Sequence, residues 1–390
     1  MELTDDQDAI LRTVREFVDR DVLPSVAKYD RADEFPQPLY ERMVEMGLFG
    51  MTIPEEHGGL GLDVMTYALV VAELSRGWIS LSGIMNTHFM AAWMIQNFGT
   101  EAQKAELLPL MATAELRAAY SMTEAGAGSD VQAIRTAATK IDGGWSLTGQ
   151  KMWSTNGLRS GMVMLLAVTD PTASPRHKGM TAFLVRKEAG VTHQPGLTIP
   201  PNLKKLGYKG VETTELVFDN FHLGDDAVLG GPGGIGQGFK YFMAAVELGR
   251  VNVAARAVGV ARCAFEQAIK YAQERETFGR KIAQHQAIQL KLAQMGTRIR
   301  AAELLTFDAA RRKASGERAD LEAGMAKLYA TETAEFCALE AMRIHGGYGY
   351  SQEYMVERLY RDAPLLILGE GTNEIQQLLI ARRLIEMNPA

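Results

Sequence analysis

The chain has 390 residues, 47% of them hydrophobic and 23% charged, with a net charge of −6 and a mean hydropathy of −0.09. This suits a globular protein of two or three domains, and its dispersed Lys and Arg argue against a continuous basic footprint for nucleic acid. The longest strongly apolar run, residues 162–168, falls far short of the roughly 18 residues of a membrane span, and two cysteines, Cys263 and Cys337, support neither a disulfide framework nor a thiolate metal site.

The acidic start MELTDDQDAI lacks a secretory pattern, so a cytoplasmic protein is expected, without membrane, nucleic-acid or metal partners. Thr4 to Gln7 fits a capping box, and Ile10, Leu11, Val14, Phe17 and Val18 then form one apolar helical face. Helix-like segments run to about residue 113, broken by the turn-rich PEEHGGLGLD at 54–63. From about 115 to 228 come short strand candidates, RAAYSMT, WSLTGQKMWS, GMVMLLAVT, MTAFLVR and TELVFDNFHL, with a hairpin turn at Gly143-Gly144. After LGGPGGIGQG (229–238), long helical patterns return at Ile288, Leu292, Met295 and Ile299 and at Leu321, Met325 and Leu328. VNVAARAVGVA (251–261) is small and apolar almost all round, as in a helix packed on several sides. The expected organisation is an N-terminal helical domain (1–114), a middle β domain (115–230) and a C-terminal helical domain (231–390).

Five stretches carry candidate chemistry, each with a plainer reading beside it. GPGGIG (231–236) satisfies a dinucleotide-binding pattern, but lacks an acid about 20 residues on and is followed by long helices; a link between domains suits it better. MTEAGAGSD (122–130) reads as a backbone cradle for an anionic or planar ligand, or as a surface loop. Trp153 in GQKMWSTNG reads as core or as a stacking wall, and Arg275 in ERETFGR as a surface ion pair or a phosphate clamp. Glu370, between two glycines in LILGEGTNEIQ, reads as a solvated loop tip or as a catalytic base.

In order and spacing, YSMTEAGAGSD, GQKMWSTN, ERETFGR, HGGYGY and RDAPLLILGEGTNEIQ resemble the acyl-CoA dehydrogenase family over nearly the whole chain. The resemblance implies an α+β multidomain fold: an N-terminal helical domain, a middle β-sheet or barrel domain and a C-terminal four-helix bundle. It also implies non-covalent FAD, an acyl-CoA substrate, a homotetramer and an electron-transfer flavoprotein as acceptor. Met122, Thr123, Gly128 and Ser129 match one flavin-contacting segment, and Trp153 and Ser154 the segment that packs on the ring. Arg275, Phe278, Gln286 and Gly347 match groups that a neighbouring subunit offers to the ADP half, and Ser129, Arg250 and Gly371 match substrate contacts.

Glu370 matches the catalytic base of many members, while the alternative base position is Gly249 here, which cannot take a proton. The resemblance therefore implies α-proton removal by Glu370, hydride transfer to the flavin and a trans-2-enoyl-CoA product. The Glu370 N–H and a flavin hydroxyl would hold the thioester oxygen, and NEIQ (373–376) would cap the next helix. Two positions depart from the pattern: Arg343 replaces a common Gln, and Gly369 replaces a bulkier residue. Gly369 would open space for a branched or polar acyl group, with Phe89 and Trp93 shortening the pocket and Asn86 and His88 meeting a polar tail, so a short or branched acyl chain is expected. An oxidase on the same fold and a non-catalytic nucleic-acid-binding relative remain the alternatives.

Overall fold

The first helix starts where its caps dictate. Thr4 Oγ1 accepts the Gln7 N–H and the Gln7 side chain accepts the Thr4 N–H, both at 3.2 Å, opening α1 (Asp5–Phe17) with Leu11, Val14 and Phe17 buried. A single wide turn carries the chain into α2 (Leu23–Ala32), followed by α3 (Gln37–Glu45), α4 (Val64–Gly77), α5 (Ile79–Phe98) and α6 (Glu101–Ala112). Helices α4 and α5 are buried on nearly every side and are separated only by the extended Trp78. This computed structural model describes residues 3–389, and no helix among them is long and apolar enough to cross a membrane.

The middle of the chain forms one curled sheet. Its strands are β1 (Ala118–Ser121), β2 (Ala137–Ile141), β3 (Gly144–Thr155), β4 (Met162–Val168), β5 (Met180–Arg186), β6 (His193–Gln194), β7 (Leu197–Thr198) and β8 (Thr213–Gly224). They lie in the order β1-β4-β2-β3-β8-β7-β6, with β5 on β4. The hairpin expected at Gly143-Gly144 joins β2 to β3. Strand β4 is apolar throughout because it serves two cores. Met162, Met164 and Leu166 face α5 and α6, while Val163, Leu165 and Ala167 face β3 and β8.

The long helix α7 (Gly238–Glu274) spans about 55 Å. GPGGIG immediately before it is one tight turn with no strand–helix–strand unit around it, so the dinucleotide-motif reading fails and the linking role stands. A short hairpin, β9 (Glu276–Thr277) and β10 (Arg280–Lys281), leads to α8 (Gln286–Ala314), α9 (Asp320–His345), α10 (Val356–Leu368) and α11 (Asn373–Met387). Helices α7, α8 and α9 pack together, and α10 closes the bundle against α7 and α9. Helix α7 also approaches α4 so closely that a Cβ on Gly259 would sit 2.2 Å from the Ala72 carbonyl oxygen. That contact explains the small residues of 251–261, all of them buried.

Candidate active site

Glu370 lies in the bend between α10 and α11, with a left-handed φ of 54°. For a residue with a Cβ this conformation costs roughly 1–2 kcal/mol, so the surroundings must hold it. Lys327, fully buried on α9, does so with three hydrogen bonds: to Ile367 O at 2.8 Å, Gly371 O at 2.9 Å and Asn373 Oδ1 at 2.8 Å. Gln376 Nε2 adds bonds to Glu370 O at 3.3 Å and Gly371 O at 3.1 Å. The cap of α11 is Thr372, whose hydroxyl accepts the Ile375 N–H, and not the expected Asn373. The Asn373 side chain instead accepts from Lys327 and from Thr331.

The Glu370 carboxylate points inward onto α7. A Cβ on Gly249 would stand 3.1 Å from both its Cδ and Oε2, so the two base positions of the sequence comparison face each other across one space. Asn86 Nδ2 donates to Glu370 Oε1 at 3.2 Å, and Met90 reaches the same spot from α5. Burial raises the carboxyl pKa, opposed in turn by the charge on Arg256, the Asn86 bond and the charges on Arg250 and Lys327. Arg250 is half-buried with its Nε unpartnered, and burial lowers its pKa against the pull of Glu247 and Glu370.

The loop after β1 and the end of β3 come together beside this space. Lys151, fully buried, donates to Met122 O at 3.0 Å and pairs with Glu124 at 2.8 Å. Glu124 also accepts the Arg135 and Thr136 N–H groups at 2.7 and 2.9 Å, and Met152 N–H bonds Thr123 O at 2.8 Å. Burial takes Lys151 down to about 8 despite the Glu124 charge. Ser121 and Ser154 share a hydrogen bond of 2.6 Å. Strand β3 slips register against β8 between Lys151 and Ser154, and Trp153 sits in that bulge with φ 62°. A bulge re-aims its side chain, and the indole is 55% exposed and not core. Gly128 and Ser129 are exposed on the facing loop.

Arg275 and Gly347 meet elsewhere, in a cleft of about 520 Å³ with Tyr271, Thr277 and Ser351, none of whose lining residues belongs to the β sheet. Phe278 projects from the β9–β10 hairpin almost fully exposed, and Gln286 is exposed at the start of α8. Arg343 pairs with Glu340 at 2.5 Å on its own helix. One expectation for α5 is corrected. His88 is fully buried, with Nδ1 accepting the Ala118 N–H and Phe49 and Phe89 against its ring; burial lowers it to about 4, so it is a neutral core residue. Trp93 is half-buried and packs on Phe98 against the core beneath β4. The sequence reading passed over Lys327, Lys151, Tyr67, Asn252 and Arg256. The signal for Lys327 and Arg256 was a single charge inside an otherwise apolar run, AGMAKLYA or VNVAARAVGVA.

Comparison with known proteins bears on the family of the chain. The descriptions "Acyl-CoA dehydrogenase, N-terminal domain", "middle domain" and "C-terminal domain" match residues 4–115, 119–221 and 236–385. An acyl-CoA dehydrogenase of Bacillus subtilis is 39% identical over 386 residues, covering 99% of each chain. A (2S)-methylsuccinyl-CoA dehydrogenase of Cereibacter sphaeroides is 39% identical over 389 residues, covering 98% of this chain and 70% of that one. The butyryl-CoA dehydrogenase structure from Megasphaera elsdenii superposes with a TM-score of 0.92 at 34% identity, covering 99% of each chain.

Proposed function

The chain belongs to the acyl-CoA dehydrogenase family, and we propose that it oxidises a short or branched acyl-CoA to the trans-2-enoyl-CoA with Glu370 as the α-proton base. The observation that carries this reading is the half-buried Glu370 carboxylate, held over bare Gly249 in a left-handed loop clamped by Lys327. A thioester α-proton is weakly acidic, so the base must be strengthened by desolvation and the carbonyl must be polarised. Burial supplies the first. For the second, the Glu370 N–H has no backbone acceptor among the described residues, which leaves it available to a thioester oxygen. Asn86 orients the carboxylate through Oε1 and leaves Oε2, the oxygen facing Gly249, for the proton.

FAD is the family's cofactor, and the residues present suit it. An exposed Trp153 fixed in a bulge offers a ring face beside a loop whose Gly126 and Gly128 have nothing within 4 Å of a Cβ position. Bound there, FAD would supply a two-electron acceptor for the β-hydrogen leaving as hydride. Met122, Thr123, Gly128, Ser129, Trp153 and Ser154 would hold the isoalloxazine portion. Arg275, without an ion-pair partner among the described residues, and Gly347, open in the second cleft, suit a phosphate and its sugar. Phe278 and Gln286 flank that cleft, an arrangement consistent with a homotetramer in which each subunit completes its neighbour's site.

Tyr67 and Phe89 stack edge-to-face with centroids 4.8 Å apart and are both buried, closing the space below Glu370 to long chains. Two of the relatives are named for butyryl-CoA and methylsuccinyl-CoA, both short thioesters. Ser129, Arg250 and Gly371 are the further substrate contacts, and an electron-transfer flavoprotein is the acceptor. Anaerobic titration of the flavin-loaded protein with acyl-CoAs tests the reading. Bleaching by short thioesters is expected; bleaching confined to long straight chains, or none at all, overturns it.

A further inference from the structure

Arg256 is a buried cation that the mechanism above does not use. It is 5% exposed in the most tightly packed stretch of α7, and no carboxylate among the described residues lies within ion-pair distance of it. Nη2 donates to Ile79 O at 3.3 Å, the guanidinium lies 5.0 Å from the Tyr208 ring centroid, and Nε has no partner. Burying a charge without a counter-charge is costly, and proteins accept it where a ligand completes the pair.

Its position says which ligand. Gly249, Asn252 and Arg256 recur at helical spacing on one face of α7, and Gly249 is the residue under the Glu370 carboxylate. Asn252, between them, donates to Tyr67 Oη at 2.6 Å while its Oδ1, like Asn86 Oδ1, is buried without a partner. The wall running from Glu370 to Arg256 is therefore polar along its length. The Arg256 charge acts on Glu370 and opposes the rise of its carboxyl pKa. Seven residues of helix rise about 10 Å, and an Arg side chain leans back toward the helix N-terminus. The lean shortens that rise to a span that a diacid of roughly four or five carbons can bridge.

We propose that Arg256 receives a carboxylate at the far end of the acyl chain, so that the substrate is a short dicarboxylic acyl-CoA. The proposal rests on the dehydrogenase reading of Glu370 and adds the chemistry of the chain's other end. Asn252 and Tyr67 line the path, and a carboxylate would supply acceptors for the unpartnered Nε.

The test compares the flavin-loaded enzyme with glutaryl-CoA and succinyl-CoA, each beside the uncharged thioester of equal backbone length, valeryl-CoA and butyryl-CoA. The expected kcat/KM ratio favours the diacid by at least about 30-fold, and Arg256→Gln lowers that ratio by about 100-fold. Arg256→Lys, which keeps the charge without the planar fork, should fall between the two. Turnover of the uncharged thioesters alone overturns this proposal and leaves the dehydrogenase reading intact. So does an Arg256→Gln effect equal on both classes, which would make Arg256 only an electrostatic neighbour of Glu370. Failure of every thioester to bleach the flavin overturns both.

Discussion

Replacing Lys327 by Met tests whether the Glu370 loop is held from behind. Met fills the same volume without a charge, so the change removes hydrogen bonds and opens no cavity. Three bonds from a cation are lost, each worth about 1.5–3 kcal/mol when formed. Two acceptors keep a second donor, Gly371 O from Gln376 and Asn373 Oδ1 from Thr331, whereas Ile367 O loses its contact with Lys327 outright. Burial takes the Lys327 amine down to about 8, so its charge is itself held at a cost that Met recovers. The net loss of stability should be about 1–3 kcal/mol. The kinetic effect should be larger in proportion, because the released strain at Glu370 lets the carboxylate swing from its position over Gly249. A displacement of about 1 Å costs up to 100-fold in rate. Steady-state dye reduction should show kcat lowered about 10- to 100-fold with flavin content and KM little changed. A kcat within twofold of wild type would refute the clamp.

Glu370 has a folded-state pKa raised above its unfolded value. Such a group contributes stability that is fully present below the unfolded pKa, near 4.3, and is lost as pH rises through the folded one. Glu370→Gln should therefore raise the melting temperature by about 1–3 °C at pH 8 and by less at pH 4.5, read by thermal scans; an equal gain at both would contradict the assignment. As a base it must be deprotonated, so kcat/KM should climb with pH through a value above the ordinary carboxylate range. Trp153→Ala should weaken flavin binding by about 5- to 30-fold, measured by ultrafiltration of the refolded holoprotein, while leaving the apoprotein's melting temperature nearly unchanged because the ring is 55% exposed.

What the sequence disclosed followed from periodicity and local chemistry. The Thr4–Gln7 cap, the β2–β3 turn and the apolar run of β4 are local features, and all three appear as expected. Trp153 could not be resolved between core and wall because the register shift that turns it outward depends on the pairing of β3 with β8, which alternation along β3 does not reveal. His88 looked available for a substrate because it stands with Asn86 in the mixed-polarity stretch IMNTHFMAAWMI; its burial comes from Phe49 and the β1 backbone, both distant in sequence. Lys327 and Arg256 were legible as lone charges in apolar runs, but pattern reading treats an apolar stretch as packing and gives the exception no partner. Their partners, a loop 40 residues on for Lys327 and Ile79 O with the Tyr208 ring for Arg256, lie outside any local window.

The central claim is that Glu370 removes the α-proton. The most direct measurement is exchange of the α-hydrogen of bound glutaryl- or butyryl-CoA in deuterated water, followed by NMR, with wild type beside Glu370→Gln. Both proteins must first be shown to bind the thioester and the flavin equally well. The account predicts exchange in wild type and a loss of at least about 100-fold in the variant. Equal exchange in the two proteins would contradict it and move the base to another residue.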